Sequence, residues 1–239
     1  MDIYALPSMK DRIFGNSYVG RGIVLGKTPD ETCAVSAYFI MGRSANSRNR
    51  VFVKCGDDVL INAYDPSKLA DPTLIIYAPL RQFQNHLIVT NGDQTDTIYN
   101  SLRDGGSFES ALDKRAFEPD GPNWTPRISG MISFAKNGFS YKMSILKSAD
   151  AAGTACNRFT YSYAALPGVG HFLHTYICDG NPIPTFQGEP ERVAIPDDID
   201  AFTDEIWNHL DCDNRISLYV RYTSLSDGTY QDRLINRYQ

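Results

Sequence analysis

Short apolar runs separated by polar turns recur along most of the chain, and this spacing predicts many β-strands. Residues 33–41 are apolar almost throughout, which is typical of a strand buried on both faces. Residues 127–134 alternate polar and apolar positions, which indicates a strand with one face in the core. Further strands are predicted at 18–26, 51–54, 59–64, 74–78, 87–89, 139–145, 157–165, 170–178, 216–223 and after 227–228.

The turns between these strands carry their own predictions. Residues 87–89 are expected to pair with 74–78, and Asn137-Gly138 predicts a tight hairpin. Gly56-Asp57-Asp58 predicts a second hairpin turn. The Pro- and Gly-containing segment 179–197 is predicted to be a loop.

Helical spacing of apolar residues is concentrated in two places. Residues 96–104 predict a helix that ends at Gly105-Gly106, and a second helix is predicted from the Ser107 cap to about Phe117. A third helix is predicted to start at 196–198, where acidic residues suit the helix dipole. Its apolar face contains residues 199, 202, 206 and 210.

Many strands with helices grouped in two places predict an α+β fold, with the helices packed on the outside of sheets. No internal repeat or linker divides the chain, so residues 18–239 are predicted to be a single domain. Residues 1–17 are predicted to be an N-terminal extension. Within it, Met9, Ile13 and Phe14 have the spacing of a short packed helix or arm.

Composition narrows the classes of partner. The chain has 239 residues, of which 42% are hydrophobic and 21% charged, as in ordinary globular proteins. Its net charge of −5 argues against nucleic acid or an anionic membrane as the main partner. A nucleotide remains compatible, because a pocket can be locally basic.

The cysteines and the N-terminus predict a cytoplasmic protein. The five cysteines are odd in number and contain no Cys-x-x-Cys pair, which suits a reducing compartment. No signal peptide is predicted from the first residues, and no apolar run approaches the roughly 20 residues of a membrane helix.

The segment 88–98 places several polar groups together. A predicted strand stops at Asn91-Gly92, and a helix begins shortly after it. Side-chain oxygens and free backbone N–H groups at such a junction can hold a polar or anionic ligand. The alternative is a capped helix start with no further role.

The densest group of hydrogen-bond donors is a polar loop between two predicted buried strands. It contains Arg43, Asn46, Arg48, Asn49 and Arg50. The planar fork of arginine fits phosphate, carboxylate and amide edges. The alternative is a solvated surface loop.

Two further groups invite a chemical interpretation. Glu118, beside Asp120, would serve as a base if burial raised its pKa, and otherwise is a surface carboxylate. His171 and His174 have His-x-x-His spacing, but in a predicted strand the two side chains point to opposite faces. No metal pair is therefore predicted.

Four segments carry a resemblance to a known family. They are 18–26, then Arg43-Ser44 with Asn49-Arg50, then Asn91-Gly92 with 95–98, and finally Phe117-Glu118 with 125–128. In this order and approximate spacing, they resemble the archaeal-type IMP cyclohydrolases. Beyond residue 128 the likeness is looser. The chain departs from the family pattern in a longer loop at 44–49, Gln94 in place of His, and Ala116 in place of an acidic residue.

The resemblance implies a fold and an absence of cofactors. The family fold resembles the N-terminal-nucleophile hydrolases, a four-layer αββα sandwich of two stacked, mainly antiparallel sheets between helices. The family uses no processed N-terminal nucleophile, no metal and no cofactor. The oligomeric state is left open, and a homo-oligomer is compatible with the likeness.

The resemblance also implies a reaction and a set of residues. The reaction closes FAICAR to the purine nucleotide IMP with loss of water, reversibly, as the last step of purine biosynthesis. Candidate catalytic residues are Arg50, Tyr77, Asn91 and Glu118. Candidate substrate-binding residues are Arg21, Arg43, Asn49, Thr95, Asp96 and Arg127.

Within that set, some assignments stay open. Arg48 competes with Arg50 for the ligand, and either Arg21 or Arg127 is expected to meet the phosphate. Two alternatives to an IMP cyclohydrolase are a non-catalytic purine-nucleotide-binding protein and a different enzyme, an amide hydrolase, on the same scaffold. The hydrolase would need a nucleophile at the head of the first strand, where the chain has Gly20-Arg21.

Overall fold

A computed structural model of the protein describes residues 2–69, 72, 74–136 and 138–238, and contains two antiparallel β-sheets stacked face to face. The first sheet contains, in spatial order, β11 (Glu191–Ala194), β10 (Val169–His174), β1 (Arg21–Lys27), β2 (Cys33–Met41), β12 (Arg215–Ser224) and β13 (Tyr230–Asn236). The second contains β3 (Arg50–Cys55), β4 (Asp58–Ala63), β5 (Leu80–Phe83), β6 (His86–Thr90), β7 (Arg127–Ala135), β8 (Gly138–Ser148) and β9 (Cys156–Ala164).

The helices are α1 (Met9–Ile13), α2 (Ala45–Arg48), α3 (Gln94–Arg103), α4 (Phe108–Leu112) and α5 (Ile199–His209), with a 3₁₀ turn at Pro66–Lys68. Four of them lie in two groups on the outer faces of the sheets, whereas α2 lies in the loop between β2 and β3. One buried cluster joins α1 and α5 to the first sheet, and a smaller one joins α3 and α4 to the second. A third cluster fills the space between the sheets. The predicted α+β fold of two stacked antiparallel sheets between helices is confirmed.

The clearest predicted helix forms for the predicted reasons. Asp198 caps α5 by accepting hydrogen bonds from the backbone N–H groups of Asp200 (2.7 Å) and Ala201 (3.0 Å). Phe202 and Ile206 are fully buried against the first sheet. Each such side chain contributes about 1.5–3 kcal/mol through burial. The N-terminal helix α1 packs on α5 through Met9 and Ile13, as predicted, whereas Phe14 is largely exposed.

The helix α3 begins at Gln94, slightly before the predicted start, and Gly105 follows its C-cap with φ +81°. The helix α4 has the predicted Ser107 cap but ends at Leu112, so the prediction that it reaches Phe117 was wrong. After Leu112 the chain turns, and Arg115 leaves the helix to pair with Asp93 at 2.5 Å.

Residues 74–78 do not form the predicted strand. The N–H groups of Ile75 and Ile76 donate to the carbonyl of Pro72 in a turn, and Pro79 removes a donor just before β5. The strand β6 therefore pairs with β5 and β7. The carbonyl of Tyr77 still accepts from Ile61 N at 2.9 Å, which ties this turn to β4.

Three smaller predictions about loops need correction or fall outside the described residues. The predicted strand 170–178 ends at His174, and the predicted loop 179–197 contains the edge strand β11. The polar loop after β2 contains the single turn α2, whose Ser44 cap accepts from Ser47 N. Asn137 of the predicted hairpin lies outside the described residues, although β7 and β8 pair on either side of it. None of the helices in the described ranges is long and apolar enough to cross a membrane.

The approach to β1 depends on a residue without a side chain. Gly20 has φ +79°, and a Cβ there would lie 2.1 Å from Thr175 Oγ1. That hydroxyl accepts from Arg21 N (3.1 Å) and donates to Val19 O (3.2 Å). The close approach therefore holds the first residue of β1 in place.

We expect Gly20→Ala to lower the free energy of unfolding by about 3 kcal/mol, because it combines backbone strain with a steric clash. Gly56→Ala is the matched control. Its φ is +61° but the space around it is open, so a loss of about 1 kcal/mol is expected. Urea unfolding of both variants measures the difference, and equal losses would contradict the importance of the close approach.

Candidate active site

Four of the predicted site residues meet in a cavity between the two sheets, at one end of the sandwich. They are Arg21, Arg43, Arg50 and Glu118, in a cavity of about 330 Å³. Arg21 opens β1 and Arg50 opens β3, whereas Glu118 lies in the loop between α4 and β7. The cavity volume lies at the lower end of the range usual for small-molecule sites.

The direction of the Arg21 side chain follows from strand alternation. Ile23 and Leu25, two and four residues further along β1, lie in the buried cluster between the sheets. Side chains alternate along a strand, so Arg21 points into the same inter-sheet space. It is the charged end of an otherwise apolar stripe.

Arg21 and Glu118 form a buried ion pair. Arg21 Nη2 donates to Glu118 Oε1 at 2.5 Å, and the residues are 9% and 4% exposed. The backbone N–H of Glu118 donates to Thr125 O at 2.8 Å, which fixes the loop that carries the carboxylate. A buried carboxylate is tolerated because this guanidinium faces it.

Burial dominates the titration of Glu118. It raises the pKa of this carboxyl, and the guanidiniums of Arg21 and Arg127 oppose the rise without cancelling it. Asp120 adds a further upward push to the pKa. A carboxyl with a raised pKa in a cavity is better suited than an ordinary carboxyl to accept and return a proton during a reaction.

Two buried tyrosines lie near the ion pair. The hydroxyl oxygens of Tyr38 and Tyr77 lie 2.7 Å apart, and burial raises the pKa of both phenols. Arg21 and Arg50 act on the pKa of Tyr77 in the opposite direction, so both guanidiniums lie close to this phenol. Tyr77, predicted from the resemblance, thus lies beside the arginines as a neutral hydroxyl.

A second hydroxyl network lines the cavity and was missed in the sequence. Tyr176 Oη and Thr125 Oγ1 are 2.5 Å apart, and Asp120 accepts hydrogen bonds from both Oγ1 and the backbone N–H of Thr125. Tyr176 follows the end of β10.

Tyr38, whose hydroxyl lies beside that of Tyr77, was also missed in the sequence. It lies within the apolar run of β2. The only available signal for Tyr38 was its position, in register with the inward-facing residues of that run.

The structure distinguishes the neighbouring arginines. Arg50 donates through Nε to Ser47 O (2.7 Å) and through Nη2 to Met41 O (3.2 Å), and it lines the cavity. Arg48 instead turns away to bond Gly42 O and Asn214 Oδ1 at 2.9 Å each.

Arg43 lies at the rim of the cavity, with its side chain 37% exposed. It pairs with Asp179, donates to Gly180 O at 3.0 Å and lies over the ring of Tyr18, 5.1 Å from the ring centre.

Asn91 lies outside the cavity, and its carboxamide bonds within the protein. Its Oδ1 accepts from Ile128 N (2.8 Å) and Gln94 Nε2 (2.9 Å), and its Nδ2 donates to Pro126 O (2.9 Å). Asn91 therefore ties the end of β6 to the start of β7.

Arg127 is hydrogen-bonded to the segment that follows Asn91. Its Nη1 donates to Asp93 Oδ1 (2.7 Å) and Gln94 Oε1 (2.8 Å). A Cβ at Gly92 would lie 2.5 Å from the same nitrogen, so a side chain at this position would displace the guanidinium. Gln94, the departure from the family pattern, is the residue that joins Arg127 to Asn91.

The structure does not bring three other predicted residues to the cavity. Asn49 exchanges hydrogen bonds with the backbone of Asp65, and Thr95 bonds the oxygens of Thr90 and Gly92. Asp96 is exposed and pairs with Arg81 at 2.7 Å. Each therefore has a structural partner elsewhere.

The histidines take no part in this cavity. His171 Nδ1 and Tyr141 Oη are 2.7 Å apart, and His174 Nδ1 bonds the carbonyl of Tyr176. Within the part of the chain that the structure describes, no three His, Cys, Asp or Glu side chains form a potential metal site.

We expect Arg21→Gln to destabilise the fold by about 3–5 kcal/mol, because it leaves the Glu118 carboxylate buried without a counter-charge. Arg43→Gln removes a guanidinium from the same cavity but breaks a solvent-exposed pair, so a loss of about 0–1 kcal/mol is expected. Urea denaturation at neutral pH compares the two. Similar small losses would show that the Arg21–Glu118 pair is not needed for folding.

Comparison with known proteins agrees with the geometry. Three curated relatives are similar to this chain, and each is named IMP cyclohydrolase: from Methanothrix thermoacetophila (32% identical over 120 residues), Methanopyrus kandleri (35% over 116) and Methanocella arvoryzae (35% over 121). The matched regions cover 47–48% of this chain and 57–58% of each relative, so the chain spans less than two thirds of their length.

The family match is longer than these pairwise matches. Residues 18–228 match the family described as IMP cyclohydrolase-like protein, so the match includes the second sheet, the first sheet except β13, and every residue that lines the candidate site. The chain therefore belongs to the IMP cyclohydrolase-like protein family.

Proposed function

We propose that this protein is an IMP cyclohydrolase that closes FAICAR to the purine nucleotide IMP with loss of water. The observation that carries the proposal is the buried Glu118 carboxyl, held by Arg21 in a cavity that Arg43 and Arg50 also line. The names of the curated relatives support the same reaction. The proposed chemistry forms a C–N bond, releases water and moves protons without a change of oxidation state, so it needs no cofactor.

The reaction places two demands on the site. The carboxamide nitrogen of the substrate is a poor nucleophile, so it must be held against the formyl carbon. Orientation of this kind supplies up to about 7–11 kcal/mol in favourable cases. The attack also creates an oxyanion, which requires a fixed donor.

The arginines divide these tasks. Arg50 is held by two backbone carbonyls, so its guanidinium is oriented before the ligand arrives, and we assign it to the carboxamide or oxyanion. We assign the phosphate to Arg43, which lies at the exposed rim of the cavity, instead of the Arg21 or Arg127 expected from the sequence. Arg21 orients Glu118, and Asn91 and Arg127 act as positioning residues behind the site.

Protons move through Glu118 and the neighbouring phenol. The carboxylate takes a proton from the attacking nitrogen, and the oxyanion is protonated to a hydroxyl. The hydroxyl then leaves as water while the former formamide nitrogen loses its proton, which completes the ring. We assign Tyr77, a neutral phenol close to both arginines, to orienting or relaying these protons.

The direct test is turnover of FAICAR by the purified full chain, followed through the absorbance of the closed purine. Formation of IMP in metal-free buffer is the expected result. If the protein bound IMP but gave no turnover, the enzyme assignment would fail and a purine-nucleotide-binding protein would take its place.

We expect Glu118→Gln to lower kcat by about 10²–10⁴-fold, because the substitution removes the proton acceptor and retains the shape. Asp96→Asn is the control. That carboxylate is exposed, pairs with Arg81 and lies away from the cavity, so full activity is expected. Full activity in Glu118→Gln would remove the base assignment without affecting the substrate.

The pH profile gives a separate test. Because burial raises the pKa of Glu118, the acid limb of kcat/KM should lie above the usual carboxyl value of 4.5, with activity lost as pH falls through the raised pKa. The residual activity of Glu118→Gln should lack this limb, and Asp96→Asn should keep it. A limb at or below pH 4.5 in the unmodified protein would contradict the assignment.

A further inference from the structure

A second, larger cavity lies at the opposite end of the sandwich. Its volume is about 930 Å³, within the range usual for small-molecule sites. Its walls are the β3–β4, β5–β6 and β7–β8 turns of the second sheet and the β12–β13 turn of the first. The candidate active site lies at the other ends of these strands, so the two cavities are separated by the apolar core.

A buried arginine lines this second cavity. Arg221 is only 2% exposed. Its Nε donates to Tyr219 Oη at 2.9 Å, and its Nη2 donates to Asp57 O at 2.6 Å. The ring of Tyr230 packs on the guanidinium at 3.9 Å. The orientation of the charged group is therefore fixed from three sides.

The positive charge of Arg221 has no direct counter-charge. Its hydrogen-bond partners are a phenol and a backbone carbonyl, and among the described residues no carboxylate lies in salt-bridge range of it. Two acids are reached only through a tyrosine. Asp232 bonds Tyr219 and already pairs with Lys54 at 2.5 Å, and the carboxylate of Asp57 bonds Tyr230. Nη1 makes no hydrogen bond within the described ranges. A buried charge in this state is costly unless an anion pairs with it.

The surroundings define the kind of anion. Lys136 is a second cation at the exposed rim, and Phe134 and Leu225 offer apolar surface. Two acids, Asp57 and Asp227, also line the cavity, but their carboxylates already accept hydrogen bonds, from Tyr230 and from Thr229.

We propose that the second cavity binds a small organic oxyanion, a carboxylate or a phosphate monoester, whose charged oxygen accepts from Arg221 and whose apolar body packs on Phe134. This site is independent of the proposed reaction, because its residues lie at the other end of the fold.

The test is an NMR titration of the ¹⁵N-labelled full chain with inorganic phosphate, phenyl phosphate and benzoate. Saturable shifts should concentrate at residues 82–85 and 221–230, and phenyl phosphate should bind more tightly than inorganic phosphate, which lacks the apolar body. The tighter of phenyl phosphate and benzoate identifies the preferred oxyanion. Absence of saturable shifts in these residues with all three probes, or shifts only around 43–50 and 118–127, overturns the proposal.

Variants separate Arg221 from its surroundings. Arg221→Gln should weaken the tighter probe at least tenfold, since a charge-assisted hydrogen bond is lost. Lys136→Glu reverses a charge at the exposed rim, where a substitution has little effect on folding. It should lower the affinity for the same probe about fivefold. Arg43→Gln, in the other cavity, should leave the affinity unchanged. Unchanged affinity in Lys136→Glu and in folded Arg221→Gln contradicts the proposed site.

Discussion

The buried ion pair between Arg21 and Glu118 is the interaction on which the organisation of the site depends. Each charge alone would be costly between two apolar sheets, and each makes the other tolerable. The pair therefore requires the first residue of β1 and the loop before β7 to arrive at the same place. Thr175 and Gly20 position one partner, and the Glu118–Thr125 backbone bond positions the other. The cavity that Arg43 and Arg50 share forms around this fixed point.

Outside the cavity, the junction of β6 and α3 forms a rigid support. Both ends of the Asn91 carboxamide hydrogen-bond to the backbone at the start of β7. Gln94 hydrogen-bonds to both Asn91 and Arg127. Gly92 lets the guanidinium of Arg127 cross the backbone. A stretch that resembles a ligand site in sequence thus contributes rigidity to the cavity. The buried polar groups of Asn91 and Gln94 bond each other and the neighbouring backbone, and they do not line the cavity.

Strand and helix positions followed from local patterns wherever one face is apolar over several residues, as in β2 and α5. The prediction failed at 74–78, where apolar composition suggested a strand but Pro72 and Pro79 impose a turn. For the site, the four residues that meet in the cavity were identifiable through the resemblance. The Tyr38–Tyr77 pair was not, because it joins β2 of the first sheet to the turn before β5, and no local pattern encodes such a contact between distant segments.

The tyrosine pair also affects the polarity of the surroundings of Arg21 and Glu118. Two hydroxyls 2.7 Å apart share one hydrogen bond, so only one of them donates to the other and the second proton points elsewhere. Exchanging the two roles reverses the direction of the local dipole without moving a heavy atom. The polar surroundings of Arg21 and Glu118 can therefore offer either a proton or a lone pair, so their polarity is not fixed by the positions of the heavy atoms alone.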